Sequence, residues 1–180
     1  MAPVHNLCSM IQNSFRWQLR SIAVPVSTTN KEICRILYEE GFISSLAQGN
    51  ETGPYPTTPQ PQSSPHPSAS SPLHSASAPS STPLPLPPRP NPARQKLWLT
   101  LKYRDGQPVL RTMSAVSKPS RRVFASLAEL QAVAAARRAG NLLKGQQVGQ
   151  VTILNTPYGI IELKEALQKE VGGEVLCIAA

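Results

Sequence analysis

The chain has three histidines, and each lies near the N-terminus or in a proline-rich tract: His5, His66 and His74. No nucleophile-His-acid triad and no histidine metal site can be assembled from them. Cysteine is as sparse. Cys8, Cys34 and Cys177 are odd in number, far apart and form no Cys-x-x-Cys pair, so neither a disulfide framework nor a zinc site is expected. They read as small buried apolar residues of a reducing compartment. No Gly-rich phosphate loop and no paired-carboxylate motif appears, which removes the common enzyme signatures and with them any expected cofactor or small-molecule substrate. No apolar run approaches the roughly 20 residues needed to span a bilayer, so a soluble protein without a membrane partner is expected.

Charge is missing from one long stretch and concentrated in another. Thr52 to Pro88 contains no charged residue and is built from Pro, Ser, Thr, Ala and Gln. Such a tract buries too little apolar surface to offset its ordering entropy, so disorder with local polyproline II character is expected. Its PLPLPPRP end places Pro85 and Pro88 at PxxP spacing, which fits either a linker or a ligand for a proline-recognising domain. The net charge of +8 comes from residues 94 to 144, where eleven Lys and Arg face two acids. A focused basic stretch is either a solvated surface or a collector of polyanions, of which nucleic acid is the commonest.

Helix and strand periods then organise the remainder. Val4, Leu7, Cys8, Ile11 and Phe15 follow one helical face, although the same acid-poor, Arg-bearing stretch also fits a mitochondrial transit peptide. Val24-Pro25-Val26 is extended. A capping box at Thr29 and Glu32 opens a helix carrying Ile33, Ile36 and Leu37 and closing at Gly41. Phe42 and Ile43 begin a strand that runs to a Gly49-Asn50 turn. After the Pro/Ser tract, KLWLTLKY alternates Leu97, Leu99 and Leu101 against Trp98, Thr100 and Lys102. Asp105-Gly106 is a hairpin signal that predicts a return through PVLRTMSAV. The tract thus reads as a hairpin loop grown long. A cationic turn at Ser117-Lys118-Pro119-Ser120-Arg121-Arg122 precedes a capping box at Ser126 and Glu129. The helix that follows is expected to carry Arg137-Arg138 in its last turn, with Gly140 beyond. Val148 to Leu154 reads as a strand, Leu163 to Leu167 as a short helix and Val175 to Ala179 as a last strand. Between them, Asn155-Thr156-Pro157-Tyr158-Gly159 is either a turn from strand to helix or a polar loop facing a ligand.

Four segments resemble, in order, those of small-subunit ribosomal protein eight, a family with bacterial and organellar members. Leu37-Tyr38-Glu39-Glu40-Gly41-Phe42-Ile43 is similar to its LKEEGFI, and Leu99-Thr100-Leu101-Lys102-Tyr103 with Gly106 to its LTLKY hairpin. Val116-Ser117-Lys118-Pro119 with Arg122 resembles its VSRPGLR turn. Val171-Gly172-Gly173-Glu174-Val175-Leu176-Cys177 resembles its GGEIIC end.

The resemblance implies an α+β protein of two small α/β subdomains with mixed or antiparallel sheets. Residues 1–50 with 93–116 would form the N-terminal domain, 51–92 the disordered insertion, and 117–180 the C-terminal RNA-binding domain. It implies a structural constituent of the small ribosomal subunit that binds a helix of the rRNA central domain beside neighbouring ribosomal proteins. It places Asn155, Thr156, Tyr158 and Gly159 in the family's STSKG-like loop, with Glu174 nearby, and Ser117, Lys118, Arg121 and Arg122 in a second RNA contact. It also favours a retained N-terminal helix. Ser120 stands where the family has Gly, Tyr158 where it has Lys, and the insertion where it has a short loop. Together with the acid-poor N-terminus, these departures resemble a mitochondrial member of fungal type rather than a bacterial or plastid one.

Overall fold

The computed structural model describes residues 4–55, 94–140 and 142–180. From residue 56 to 93 the tract expected to be disordered, with its PxxP segment, lies outside the described residues; its first residues are described and fold back on the preceding chain, where Pro54 bridges Gly49 and the Tyr55 N–H donates to the Gln48 carbonyl at 2.9 Å. Helix α1 (Val4–Arg16) buries Leu7, Cys8, Ile11 and Phe15, the face that the 3.6-residue spacing predicts. Strand β1 (Ser21–Pro25) follows, then α2 (Thr28–Glu39). The box expected on Thr29 and Glu32 does not form. Ser27 is the N-cap, which puts Thr29 inside the first turn, and Glu32 pairs with Arg35 at 3.1 Å. Strands β2 (Ile43–Gly49) and β3 (Lys96–Leu101) pair antiparallel from Ile43↔Leu101 to Gly49↔Lys96, so the insertion does leave from the closed end of a hairpin. Leu97, Leu99 and Leu101 are buried on one face of β3, the central strand of the order β1-β3-β2.

Asp105-Gly106 turns the chain as its sequence predicts, with φ of 50° and 74° between β4 (Tyr103–Arg104) and β5 (Gln107–Pro108). The return stops there. Both edges of β3 are already occupied by β1 and β2, and the chain crosses instead to a second sheet as β6 (Met113–Ala115). That sheet is completed by β7 (Phe124–Ala125), β8 (Val151–Thr156), β9 (Gly159–Glu162) and β10 (Gly173–Ala179), in the order β6-β10-β8-β9 with β7 also on β10. Helices α3 (Leu127–Ala134) and α4 (Leu163–Gln168) pack on it.

Helix α3 starts at the predicted box, where the Glu129 carboxylate accepts from the Ser126 N–H at 2.8 Å and hydroxyl at 3.0 Å. It ends before Arg137-Arg138. The Arg137 N–H reaches the Ala132 carbonyl and the Ala136 N–H the Val133 carbonyl, a Schellman closure with Ala136 at φ 59° in the left-handed position. Gly140 is therefore not the cap, because a non-glycine residue takes that role four positions earlier. Helices α1, α2 and α4 close in the same way at Gln18, Gly41 and Glu170.

The second sheet is covered on both faces. Val151, Ile153, Leu176, Cys177 and Ala179 join the core beneath α1 and α2, whereas Leu154 and Val175 face the core under α3 and α4. All three cysteines lie in the first core. Burial pushes the Cys34 thiol up to about 12, so it stays protonated and unreactive.

Where α2 meets β9, Lys164 Nζ stands 3.3 Å from Glu162 and 3.9 Å from Glu40. Burial, then the hydrogen bond that the protonated Glu162 carboxyl donates to Glu40, raises that carboxyl above its ordinary value of 4.5. The folded state therefore binds the Glu162 proton more tightly than the unfolded chain does. Its contribution is fully present below pH 4.5 and is lost as pH rises through the raised value. Glu162→Gln is expected to raise the thermal midpoint at pH 7 and to leave it unchanged at pH 4, read by circular dichroism across that range.

Candidate nucleic-acid interface

The NTPYG loop joins two strands, not a strand to a helix. Thr156 pairs with Gly159 across the β8–β9 ladder, Pro157-Tyr158 forms the tip, and α4 begins only at Leu163. Gly159 stands at φ 108°, where a side chain would be strained. Thr156 is buried, and its hydroxyl donates to the Gly159 carbonyl at 2.9 Å. That hydroxyl therefore closes the turn. Tyr158 is 70% exposed, with Lys169 Nζ 5.9 Å from its ring centroid.

A second tight turn stands opposite. Lys118 and Arg121 exchange N–H···O bonds of 2.9 and 3.0 Å, leaving Pro119-Ser120 at the tip. The buried Ser117 hydroxyl anchors this turn by accepting from the Val123 N–H at 3.0 Å. Lys118, Arg121 and Arg122 consequently project into solvent. Strand β10 joins the two turns, since Glu174 sits opposite Asn155 on β8 and Phe124 on β7. Gly173 makes the approach of the strands possible: a Cβ there would lie 2.4 Å from the Asn155 carbonyl oxygen. Glu174 is 8% exposed and stands 3.6 Å from Arg122 Nη1. The buried carboxylate orients the outer cation.

Between these walls lies a concavity of about 270 Å³. Ser117, Lys118, Arg122, Asn155 and Glu174, five of the nine residues singled out from sequence, line it together. Arg121, Thr156, Tyr158 and Gly159 do not. Three residues that the sequence reading passed over as site residues join the lining, Val4 and His5 from the first turn of α1 and Thr29 from α2, beside Pro119, Ile160 and Leu176. No local pattern marks them, because the fold alone brings the helix starts to the turn at Lys118. Phe124 was passed over as well, and it is 66% exposed beside the Arg122–Glu174 pair. An aromatic residue two places after Arg121-Arg122 was the available signal. A wider concavity of about 710 Å³ shares His5, Lys118 and Pro119 with the first and runs along α1 and β6.

Hydrogen-bonding groups, projecting cations and exposed rings surround an apolar floor that includes Ile160 and Leu176. Among the described residues no cluster of His, Cys, Asp or Glu could hold a metal ion. This is the equipment of a nucleic-acid-binding module. A family model described as ribosomal protein S8 matches residues 2–179. The small ribosomal subunit protein uS8m of Neurospora crassa is 37% identical over 174 residues, covering 97% of this chain and 95% of that protein. Its Schizosaccharomyces pombe counterpart, of the same name, is 33% identical over 97% of both chains. The uS8 protein of Paramagnetospirillum magneticum is 30% identical over 97% of this chain and 94% of its own. The chain belongs to the ribosomal protein S8 family, whose role is structural and not catalytic.

Proposed function

We propose that the chain is a structural, rRNA-binding constituent of the mitochondrial small ribosomal subunit. The observation that carries this reading is the convergence of the Lys118–Arg121 turn and the β8–β9 strands on one concavity, joined by β10. RNA helices are recognised chiefly through shape, phosphates and 2′-hydroxyls, and rigid turns bearing amide and cationic groups suit that task. Lys118, Arg121 and Arg122 meet phosphates, and Asn155 hydrogen-bonds a sugar or base edge. Tyr158 stacks on an unpaired base at the tip. Ser117, Thr156, Gly159 and Glu174 act through the backbone and through their neighbours, holding the two turns and aiming Arg122. In this reading, residues 117–180 form the RNA-reading domain and residues 1–50 with 93–116 a supporting domain that also meets neighbouring ribosomal proteins. The RNA element is a helix of the small-subunit rRNA central domain. The mitochondrial assignment is supported by the two uS8m relatives, both from fungi.

Titrating the full chain against a transcript of that helix from 0.05 to 0.3 M salt tests the proposal. Specific binding with a steep negative slope of log K on log salt is expected. Tyr158→Ala is expected to weaken it by roughly 1–3 kcal/mol, the range for a lost base-aromatic stack. Affinity no greater than that of an unrelated basic protein would reject the reading, as would failure of the endogenous protein to sediment with the mitochondrial small subunit.

A further inference from the structure

The tip of the β8–β9 hairpin carries no charge of its own, since Asn155 to Gly159 contains neither Lys nor Arg. From residue 145 onward the chain has only two cations, Lys164 and Lys169. Lys164 is engaged with Glu40 and Glu162. Lys169 follows directly on α4 and carries its ammonium to the exposed Tyr158 ring, 5.9 Å from the centroid. The same ammonium pairs with Glu165, one helical turn back, at 2.7 Å. An ammonium has three donors, and the Glu165 carboxylate takes one of them.

We infer that Lys169 is a further RNA-contacting residue, which turns the Tyr158 ring into a composite site for one unstacked nucleotide. The inference rests on the RNA reading of this tip. The ammonium lies against the ring and holds it in place, because a tyrosine at the end of a two-residue turn has no core to pack against. The ring's remaining surface takes the base. The ammonium, positioned by Glu165, meets the phosphate of the same nucleotide. An acidic side chain would satisfy the ammonium but brings no aromatic surface to stack on the exposed ring.

Ultraviolet crosslinking of the full chain to the central-domain transcript, mapped by mass spectrometry, tests the inference together with salt titration. In the unsubstituted chain a crosslink at Tyr158 is expected. Lys169→Met is expected to lower its yield about twofold to fivefold, the range for an exposed cation-ring contact. It is also expected to reduce the salt slope by about one, as the loss of a phosphate contact does. Lys169→Arg restores both. A Lys169→Met chain with unchanged crosslink and unchanged slope overturns the inference and leaves RNA binding intact. Specific binding without any crosslink at Tyr158 overturns it too, and absence of specific binding overturns both readings.

Discussion

Gly173→Val lowers the urea midpoint and weakens RNA binding together, the largest stability effect expected of any single substitution around the interface. A Cβ at this position would lie 2.4 Å from the Asn155 carbonyl oxygen and 3.0 Å from Thr156 Cγ2. The first neighbour is backbone in a paired strand, so the collision cannot be relieved by turning a side chain. Overpacking of this kind costs roughly 1–3 kcal/mol. At an m-value of about 1–3 kcal/mol per molar, that shifts the midpoint by about 1 M. RNA affinity is lost with it, because separating β10 from β8 moves Asn155 away from Glu174 and both away from the Lys118 turn. Gly53 supplies the control: nothing lies within 4 Å of its added Cβ, and Gly53→Ala should leave stability within about 0.5 kcal/mol. Equal effects at the two glycines, in urea denaturation followed by circular dichroism, would show that the close strand approach at Gly173 is unimportant.

Removing the charges of Lys118 and Arg122 together has the largest expected effect on binding. Each is assigned one phosphate, so the slope of log K on log salt should become shallower by about two. Affinity near 0.15 M salt should fall by about two orders of magnitude, read by filter binding or fluorescence anisotropy. The two residues differ in what they cost the fold. Lys118 projects from a turn, and its loss is expected to be thermally silent. Arg122→Ala leaves the Glu174 carboxylate, 8% exposed, without its cation. Because the Arg122 side chain is itself 54% exposed, solvent screens the pair and the stability cost should stay near about 1 kcal/mol. Glu174→Gln in the Arg122→Ala background should recover that stability without recovering affinity. Recovery of affinity as well would move Glu174 from orienting Arg122 to contacting the RNA directly, and a double-mutant cycle separates the two.

The two turns of the interface were legible to different degrees. The cationic turn could be found because Lys118, Arg121 and Arg122 crowd around a proline, and the resemblance to the family's own turn points to the same place. In the sequence the β8–β9 hairpin reads as a strand-helix junction. Gly159 with a helical pattern beyond it looks like a helix entry, while Ile160 and Ile161 are too short a run to announce a strand by themselves. What makes them a strand is β8, which offers a free edge for Thr156 to Gly159 pairing and a core for Ile161. The end of α3 was misplaced for a comparable reason. Glycine is the usual signal of a left-handed cap, and Ala136 gives none, yet the hydrogen bonds to Ala132 and Val133 hold it there.

Local patterns alone determined the buried faces of α1 and β3, the capping box at Ser126 and the Asp105-Gly106 turn. Each of these depends on residues within a few positions of one another, so local sterics and burial settle them. Tertiary structure decided which strands share a sheet, since β1 and β2 occupy both edges of β3 and leave none for the returning chain. It also decided which residues line the concavity, because His5, Thr29, Lys118, Asn155 and Glu174 lie far apart in the chain and meet only when β10 pairs with both β7 and β8. Composition announced a positive field. Only that pairing, with a glycine at 173 thin enough to permit it, set Lys118 and Arg122 of the basic stretch beside Asn155 and Glu174 in one groove.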